Sequence, residues 1–198
     1  MVRPLWKRAT PIAITAMASA IIGAGAWSLR SSNTPPPLAS RFSFSLPDGQ
    51  QFTGGIRQLL TISPDGTRII YVANARLYQR SLSELEAKAI PGGAPVTICP
   101  AETVFGMSWG RDGILFGQGN KGILRVSPNG GTPEVVVTVK PDEFAFGPQM
   151  LPDGQTILFT LAKSVGAGWD KAQIVAQSLK SGGRKILVEG GSDARYVR

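Results

Sequence analysis

The sequence contains no histidine and only one cysteine. Without histidine, the chain cannot build a His-ligated zinc site, a Ser–His or Cys–His catalytic pair, or the His-Arg-Asp loop of protein kinases. Cys99 has no second cysteine to pair with, so no disulfide can form within the chain. We interpret it as a small apolar side chain buried in a strand. We therefore expect a protein that is not an enzyme and that uses no cofactor and no metal ion.

Charged side chains are missing from one long stretch, residues 10–29, which follows a basic flank in residues 1–9. A helix of about 20 apolar residues spans the hydrocarbon core of a bilayer. Trp6 and Trp27 stand near its ends, where amphipathic rings favour the membrane interface. We predict a cytoplasmic flank, a transmembrane helix or signal anchor, and an extracytoplasmic remainder. The alternative is a signal peptide cleaved near Ala26, which would release a periplasmic or secreted protein.

The chain carries a net charge of +8, concentrated in part near the amino terminus. The basic residues farther along form no patch or stripe, so we expect no nucleic-acid partner. Residues 30–40 are polar and then rich in proline, as in a stiff, extended linker. The folded domain is predicted to occupy residues 41–198.

That domain is organised by a short turn sequence that occurs three times, each time between two short apolar runs. In such a turn proline fixes φ, aspartate bonds to nearby backbone, and glycine takes the left-handed conformation. The pattern predicts a type I turn that closes a three-residue β-hairpin. We assign a structural role to the turn residues, which are Ser63, Pro64, Asp65, Gly66, Asp112, Gly113, Pro152, Asp153 and Gly154.

Hairpins that recur every ~40–50 residues are typical of β-propeller blades. The sequence therefore predicts an all-β fold: a partial propeller of about three to four four-stranded blades, preceded by one transmembrane helix. Residues 41–50 are interpreted as an entry hairpin, and residues 192–198 as the start of a further unit. Since propellers need ~4–8 blades, we interpret the chain as a fragment of a larger propeller, with closure by self-association or poor solubility as the alternatives.

The first unit has two candidate outer strands in succession, residues 86–90 and 92–98. One interpretation is that a blade is missing between Ile90 and Gly92. The other is one long outer strand with a bulge at residues 91–93.

Several features resemble catalytic, nucleotide-binding, metal-binding or recognition sites but also have structural interpretations. Residues 106–110 match G-x-S-x-G and residues 117–122 match G-x-G-x-x-G, yet both motifs require a following helix, and strands are predicted instead. The three turn aspartates fall in different blades, ~10–20 Å apart, which favours turn capping over metal binding. Trp169 and Asp170 lie in the longest loop within a blade and form a candidate recognition loop, with loop packing as the alternative.

The order of basic flank, single span, proline linker and Ser-Pro-Asp-Gly blades resembles a known arrangement. It is similar to the membrane-proximal and extracytoplasmic part of bacterial eukaryotic-type serine/threonine protein kinases that carry a TolB-like, WD-type propeller sensor. The resemblance is carried by residues 3–8, 60–68, 92–97 and 148–154.

In that family a kinase domain precedes the span and the propeller usually has six blades. The resemblance thus implies a kinase-associated sensor module. This sequence contains no glycine-rich phosphate loop leading to a strand lysine, no His-Arg-Asp and no Asp-Phe-Gly, so no residue here inherits kinase activity.

The function expected from these observations is a membrane-anchored, extracytoplasmic propeller that binds an unknown protein or small molecule. Its expected partners are the membrane, through residues 10–29, and an upstream kinase domain or a further copy of the chain. The alternatives are a secreted or periplasmic propeller scaffold for protein–protein interaction, and a propeller accessory to a peptidase of the prolyl oligopeptidase type.

Overall fold

The computed structural model describes residues 44–53, 58–83, 95–166 and 168–197, all within the compact unit Phe42–Arg198. The predicted membrane segment, the proline-rich linker and the junction at residues 86–94 lie outside the described residues. In the part of the chain that is described, no helix has the length and apolar character needed to cross a membrane.

In the described part of the chain, twelve strands form three antiparallel sheets of four, and within each sheet the strands pair in the order in which they follow one another in the sequence. The first sheet contains β1 (Leu60–Ile62), β2 (Arg68–Ala73), β3 (Arg76–Ser81) and β4 (Val96–Pro100). The second contains β5 (Met107–Gly110), β6 (Gly113–Gly117), β7 (Ile123–Val126) and β8 (Glu134–Val137). The third contains β9 (Phe144–Met150), β10 (Thr156–Ala162), β11 (Gln173–Ser178) and β12 (Arg184–Glu189). The predicted all-β architecture with four strands in each unit is confirmed.

Apolar runs rather than strict alternation mark the second strand of each sheet, because both faces of these strands are buried. In β2, Ile69 and Tyr71 face one side while Ile70 and Val72 face the other, and all four are fully buried. Each second strand is thus sandwiched between neighbouring layers. That position is what a blade inside a propeller requires.

The hydrophobic core lies between the sheets. Between the first and second sheets, Leu77 and Cys99 pack with Met107 and Phe116. Between the second and third sheets, a comparable cluster contains Leu115, Ile123, Val137, Ile157, Phe159 and Val175. The first strands β1, β5 and β9 also contact one another in that order. The sheets are therefore stacked face to face around their first strands.

The outer strand of every sheet contains one extra residue at the same place. In the strand pairing Leu77 is opposite Cys99 but Tyr78 is opposite Thr97, so Ile98 is left without a partner. The same shift leaves Val136 unpaired in β8 and Leu187 unpaired in β12. Such β-bulges bend the strand and increase its twist. The three sheets therefore repeat a detail of backbone geometry as well as a strand count.

Residues 44–53 cover the outward face of the first sheet. Phe44 packs edge-on against Tyr71 at 4.9 Å between ring centroids, and Leu46 joins the same cluster. The Tyr71 hydroxyl donates a hydrogen bond to the Gln50 side chain at 2.9 Å. Apart from an isolated bridge between Phe52 and Ala73, this segment forms no sheet. The turn of the predicted entry hairpin is present, since the Gln50 N–H donates to the Pro47 carbonyl at 3.1 Å, but the hairpin prediction is wrong because residues 44–46 pack against Tyr71 without forming a strand.

Candidate functional site

Two of the three repeated turns are longer than predicted. The Ser63 N–H donates to the Arg68 carbonyl at 2.8 Å, and the Leu151 N–H donates to the Thr156 carbonyl at 2.8 Å. Each pair encloses four residues, so the expected three-residue loop is corrected to four. Pro64 and Pro152 are exposed at the second position of these turns. The prediction of a three-residue loop was wrong because Thr67 and Gln155, the residues after the glycines, also belong to the loop and are not paired across the hairpin.

Within these loops the hydrogen bond that closes the predicted β-turn is present. The Gly66 N–H donates to the Ser63 carbonyl at 2.9 Å, and the Gly154 N–H donates to the Leu151 carbonyl at 3.0 Å. Gly66 has a φ of 70°, in the region that favours glycine.

Asp65 and Asp153 both cap their turns. The Ser63 hydroxyl and the Thr67 N–H donate hydrogen bonds to Asp65. The Ser63 bond, followed by those of Thr67, lowers the pKa of Asp65 to about 2. Asp153 accepts from the Thr156 hydroxyl at 2.6 Å and from two backbone N–H groups, and these bonds lower its pKa. The structural role assigned to these two aspartates fits their contacts.

Asp112 is different. Its turn has only two residues, because Gly110 is paired directly with Gly113. Gly113 has a φ of 115°, and a Cβ there would lie 2.8 Å from the Val126 carbonyl oxygen, so the position requires glycine. Among the described residues, Asp112 has no hydrogen bond or ion pair. Asp112, which the repeat predicts to cap its turn, therefore does not do so, and its carboxylate can accept hydrogen bonds from a ligand.

Asp112 lines a depression of about 260 Å³ between the second and third sheets, at their hairpin ends. The depression is lined by Gly110, Arg111, Asp112, Gln149, Met150, Leu151, Pro152, Gly154 and Tyr196. The Asp112 side chain points across it, with Oδ2 3.7 Å from where a Cβ on Gly154 would stand. On its other side, Asp112 borders a second, more open depression that contains Arg125 and Glu134.

The chain after β12 forms one wall of this depression. The Tyr196 N–H donates to Gln149 Oε1 at 2.8 Å, and Gln149 Nε2 donates to the Tyr196 carbonyl at 3.3 Å. Arg195 donates to the Gly147 carbonyl at 3.4 Å and to Gln58 Oε1 at 2.7 Å. Residues 193–196 thus run beside β9. They belong to residues 192–198, which the sequence analysis interprets as the start of a further unit.

Gln149, Arg195 and Tyr196 were not among the sequence-predicted site residues. Gln149 is an isolated polar residue in an apolar strand, and this is the one signal that could have drawn attention to it. Nothing in the local sequence marks Arg195 or Tyr196, because their proximity to β9 is a long-range contact.

The candidate recognition loop lies at the opposite end of the third sheet. Trp169 begins a short 3₁₀ turn (Trp169–Lys171), is half-buried, and stands edge-on to Phe146 at 5.3 Å. Its carbonyl accepts the Gly191 N–H at 2.8 Å. These contacts match the loop-packing alternative for Trp169, while Asp170 is exposed. The structure does not bring this loop together with the three repeated turns.

The two apparent catalytic motifs have the predicted surroundings. Ser108 lies inside β5, and residues 118–122 form the loop that leads into β7. Neither motif precedes a helix. Over the described ranges, no group of three or more cysteine, aspartate or glutamate side chains is arranged to hold a metal ion.

No protein-family model and no curated protein sequence matches the chain. Among solved structures it is similar to a protein described as TolB from Agrobacterium tumefaciens, with a TM-score of 0.51 and 19% identity over 67% of this chain and 50% of that one. An oligogalacturonate lyase from Vibrio parahaemolyticus aligns with a TM-score of 0.49 and 10% identity, over 67% of this chain and 39% of the lyase. The chain thus spans half the length of the TolB structure. Together with the three stacked sheets, that likeness shows a TolB-like β-propeller fold.

Proposed function

We propose that this chain is a non-catalytic propeller module that binds a partner protein through the depression between its second and third sheets. The observation that carries the proposal is Asp112. It occupies a repeat position whose counterparts, Asp65 and Asp153, are used to cap turns, yet it makes no such bond. Loops held by a rigid scaffold are where binding residues concentrate.

The depression combines several contact chemistries in a small space. Arg111 and Asp112 offer charges of both signs, and Tyr196 offers a ring that is 47% exposed. Met150 adds a flexible apolar surface. Tyrosine and arginine are enriched among residues that dominate binding energy at protein interfaces. A protein loop with polar and apolar side chains fits these features better than a purely apolar ligand.

Site-directed photocrosslinking tests the proposed partner site. A benzophenone side chain replaces Arg111 in the full chain, and ultraviolet light is applied to living bacteria that produce it. The control carries the same group at Lys180, another exposed basic residue at the hairpin ends of the third sheet. We expect one discrete adduct from position 111, lost when Asp112→Ala is added, and none from position 180. Equal adducts from both positions, or none from either, would contradict the proposal.

We also propose that residues 10–29 hold the module at the membrane with the propeller on the extracytoplasmic side. The support is the uncharged run and its basic flank. Lys180→Cys offers an exposed thiol, whereas the native Cys99 is buried. A membrane-impermeant maleimide should label Lys180→Cys in intact spheroplasts. Labelling only after lysis would place the propeller inside the cell. The mass of the amino-terminal peptide distinguishes an intact anchor from cleavage near Ala26.

A kinase-associated sensor is the more specific form of this proposal, and it rests on the resemblance of residues 3–8, 60–68, 92–97 and 148–154. It predicts a reading frame just upstream of Met1 that encodes His-Arg-Asp and Asp-Phe-Gly motifs. Sequencing of that region tests the association. The non-catalytic part of the proposal is tested separately, since phosphotransfer by the purified chain would refute it.

A further inference from the structure

The two methionines of the described residues lie in different surroundings. Met107 begins β5, is 2% exposed and belongs to the core cluster between the first and second sheets. Met150 ends β9 and is partly buried. It packs against the core cluster between the second and third sheets, and it also lines the depression that contains Asp112. A thioether that contributes to the core is thus accessible from solvent at this point.

The access to Met150 comes from the way in which two described sheets meet. Met150 pairs with Ile157 of β10, a fully buried residue of that core cluster. The hairpin of the second sheet contributes Gly110, Arg111 and Asp112 to the same depression. Its volume of about 260 Å³ is several times the space that one water-sized molecule occupies. A small oxidant can therefore enter the depression and reach the Met150 side chain.

Hydrogen peroxide is the oxidant that fits this site. The sulfur lone pair attacks one peroxide oxygen, so that an S–O bond forms while the O–O bond breaks. The proton of the transferred oxygen moves to the departing hydroxide, water leaves, and the sulfur is oxidised by two electrons. The product is methionine sulfoxide, which is polar and chiral, and methionine sulfoxide reductases convert it back to methionine.

A sulfoxide does not suit the place that the thioether occupies. The apolar cluster against which Met150 packs includes Leu115, Val137 and Ile157. A sulfoxide oxygen placed there would lose its hydrogen bonds to water, and this loss costs free energy. The oxidised side chain should therefore turn toward the depression, and its packing between the sheets would be lost. We propose that Met150 is a reversible oxidation site, at which hydrogen peroxide weakens the contact between the second and third sheets.

Peptide mass mapping of the purified full chain in detergent tests the site. The chain is treated with dilute hydrogen peroxide, and the addition of one oxygen atom is followed over time at each methionine. Met150 should be oxidised at least about tenfold faster than Met107, since a reagent reaches a buried side chain only through local opening of the structure.

Thermal unfolding measures the consequence of oxidation. Complete oxidation of Met150 should lower the melting temperature by about 2–6 °C, and methionine sulfoxide reductases should restore it. Met150→Leu is the matched control, because it nearly conserves the side-chain volume and removes the sulfur. The melting temperature of this variant should not respond to peroxide, although Met1, Met17 and Met107 remain in the chain. Met107→Leu should retain the full response.

Three results would overturn the proposal. They are equal oxidation rates at Met107 and Met150, an unchanged melting temperature once Met150 is fully oxidised, and the same peroxide-induced fall in the Met150→Leu variant. The measurements are made on the purified chain without a partner. The inference is therefore independent of the proposed partner binding, since a chain that yields no photocrosslinked adduct would still show the full response to peroxide.

Discussion

The first and third sheets each have one face that does not pack against another described sheet, and the two faces differ in how far the rest of the chain covers them. Residues 44–53 cover the outward face of the first sheet, where Phe44 and Phe52 surround the buried Tyr71. At the third sheet, residues 193–196 cover only the inner strands, and β12 remains exposed. A covered face and an exposed face contribute differently to the stability of stacked sheets, because only the covered face buries apolar surface. The buried contacts at the covered end therefore stabilise the domain, whereas the exposed residues of β12 contribute little burial.

The largest effect is expected at the covered end. Tyr71 is fully buried, stacks with Tyr78 at 5.7 Å and contacts Phe44 edge-on. Tyr71→Ala should lower the free energy of unfolding by about 3–5 kcal/mol, since it removes a large buried ring and leaves a cavity. Denaturant unfolding followed by tryptophan fluorescence measures the loss. Tyr71→Phe, which removes only the bond to Gln50, should cost about 1 kcal/mol. Equal losses would show that the ring contacts contribute little.

A matched pair of valines separates a buried outer strand from an exposed one. Val137→Ser places a hydroxyl in the core between the second and third sheets and should cost about 2–4 kcal/mol. Val188→Ser makes the same change at the equivalent exposed position and should cost less than about 0.5 kcal/mol. The denaturation midpoints of the two variants check the difference. A large loss for Val188→Ser would mean that something covers β12 in solution.

A smaller, opposite effect is expected at the turn between β2 and β3. Asn74 and Ala75 both have positive φ, at 45° and 57°. This backbone costs a residue with a Cβ roughly 1–2 kcal/mol, whereas glycine adopts it freely. Ala75→Gly should therefore stabilise the chain by about 0.5–1 kcal/mol, after the added freedom of the unfolded chain is subtracted. A rise in the melting temperature checks this. A fall would indicate that the Ala75 methyl group contributes packing.

The smallest expected effect concerns the reactivity of thiols at equivalent positions of the first and third sheets, and it involves almost no change in the free energy of unfolding. Burial raises the pKa of the Cys99 thiol to about 11, so at neutral pH the thiolate, which is the nucleophile, is scarce. Cys99 should react with a thiol reagent only when the protein unfolds or the pH approaches that value. Val188→Cys, at the equivalent place in the third sheet, should react at the rate of an exposed thiol. Similar rates for the two thiols in the folded protein would contradict the burial contrast.

The sequence predicted the strands because their signals are local. The Asp-Gly turns and the flanking apolar runs identify hairpins without knowledge of the rest of the chain. The loops after Ser63 and Leu151 are still one residue longer than predicted. The first cross-strand hydrogen bonds join Ser63 to Arg68 and Leu151 to Thr156, and the turn sequence does not determine these partners. Register depends on cross-strand packing, and turn chemistry limits it only in part.

The candidate site was harder to predict, and Asp112 shows why. Its turn looks like the other two in sequence, but direct pairing of Gly110 with Gly113 shortens the loop and leaves no nearby N–H for the carboxylate. Tyr196 reaches the same depression from the far end of the chain, through a contact with Gln149. The bulges at Ile98, Val136 and Leu187 are likewise invisible in the sequence, since no residue type marks them. Both kinds of feature depend on pairing across strands.

The shared bulge has a practical consequence for protein engineering. In the second and third sheets the pairing between the third and fourth strands shifts by one residue at equivalent positions, so the two outer hairpins carry the same bulge. A chimera that exchanges residues 123–137 for residues 174–188, which run between the equivalent paired positions, should retain the original strand register. The exchange reaches the core as well as the surface, and Ile174 and Val188 would supply the apolar side chains that Ile123 and Val137 contribute between the second and third sheets.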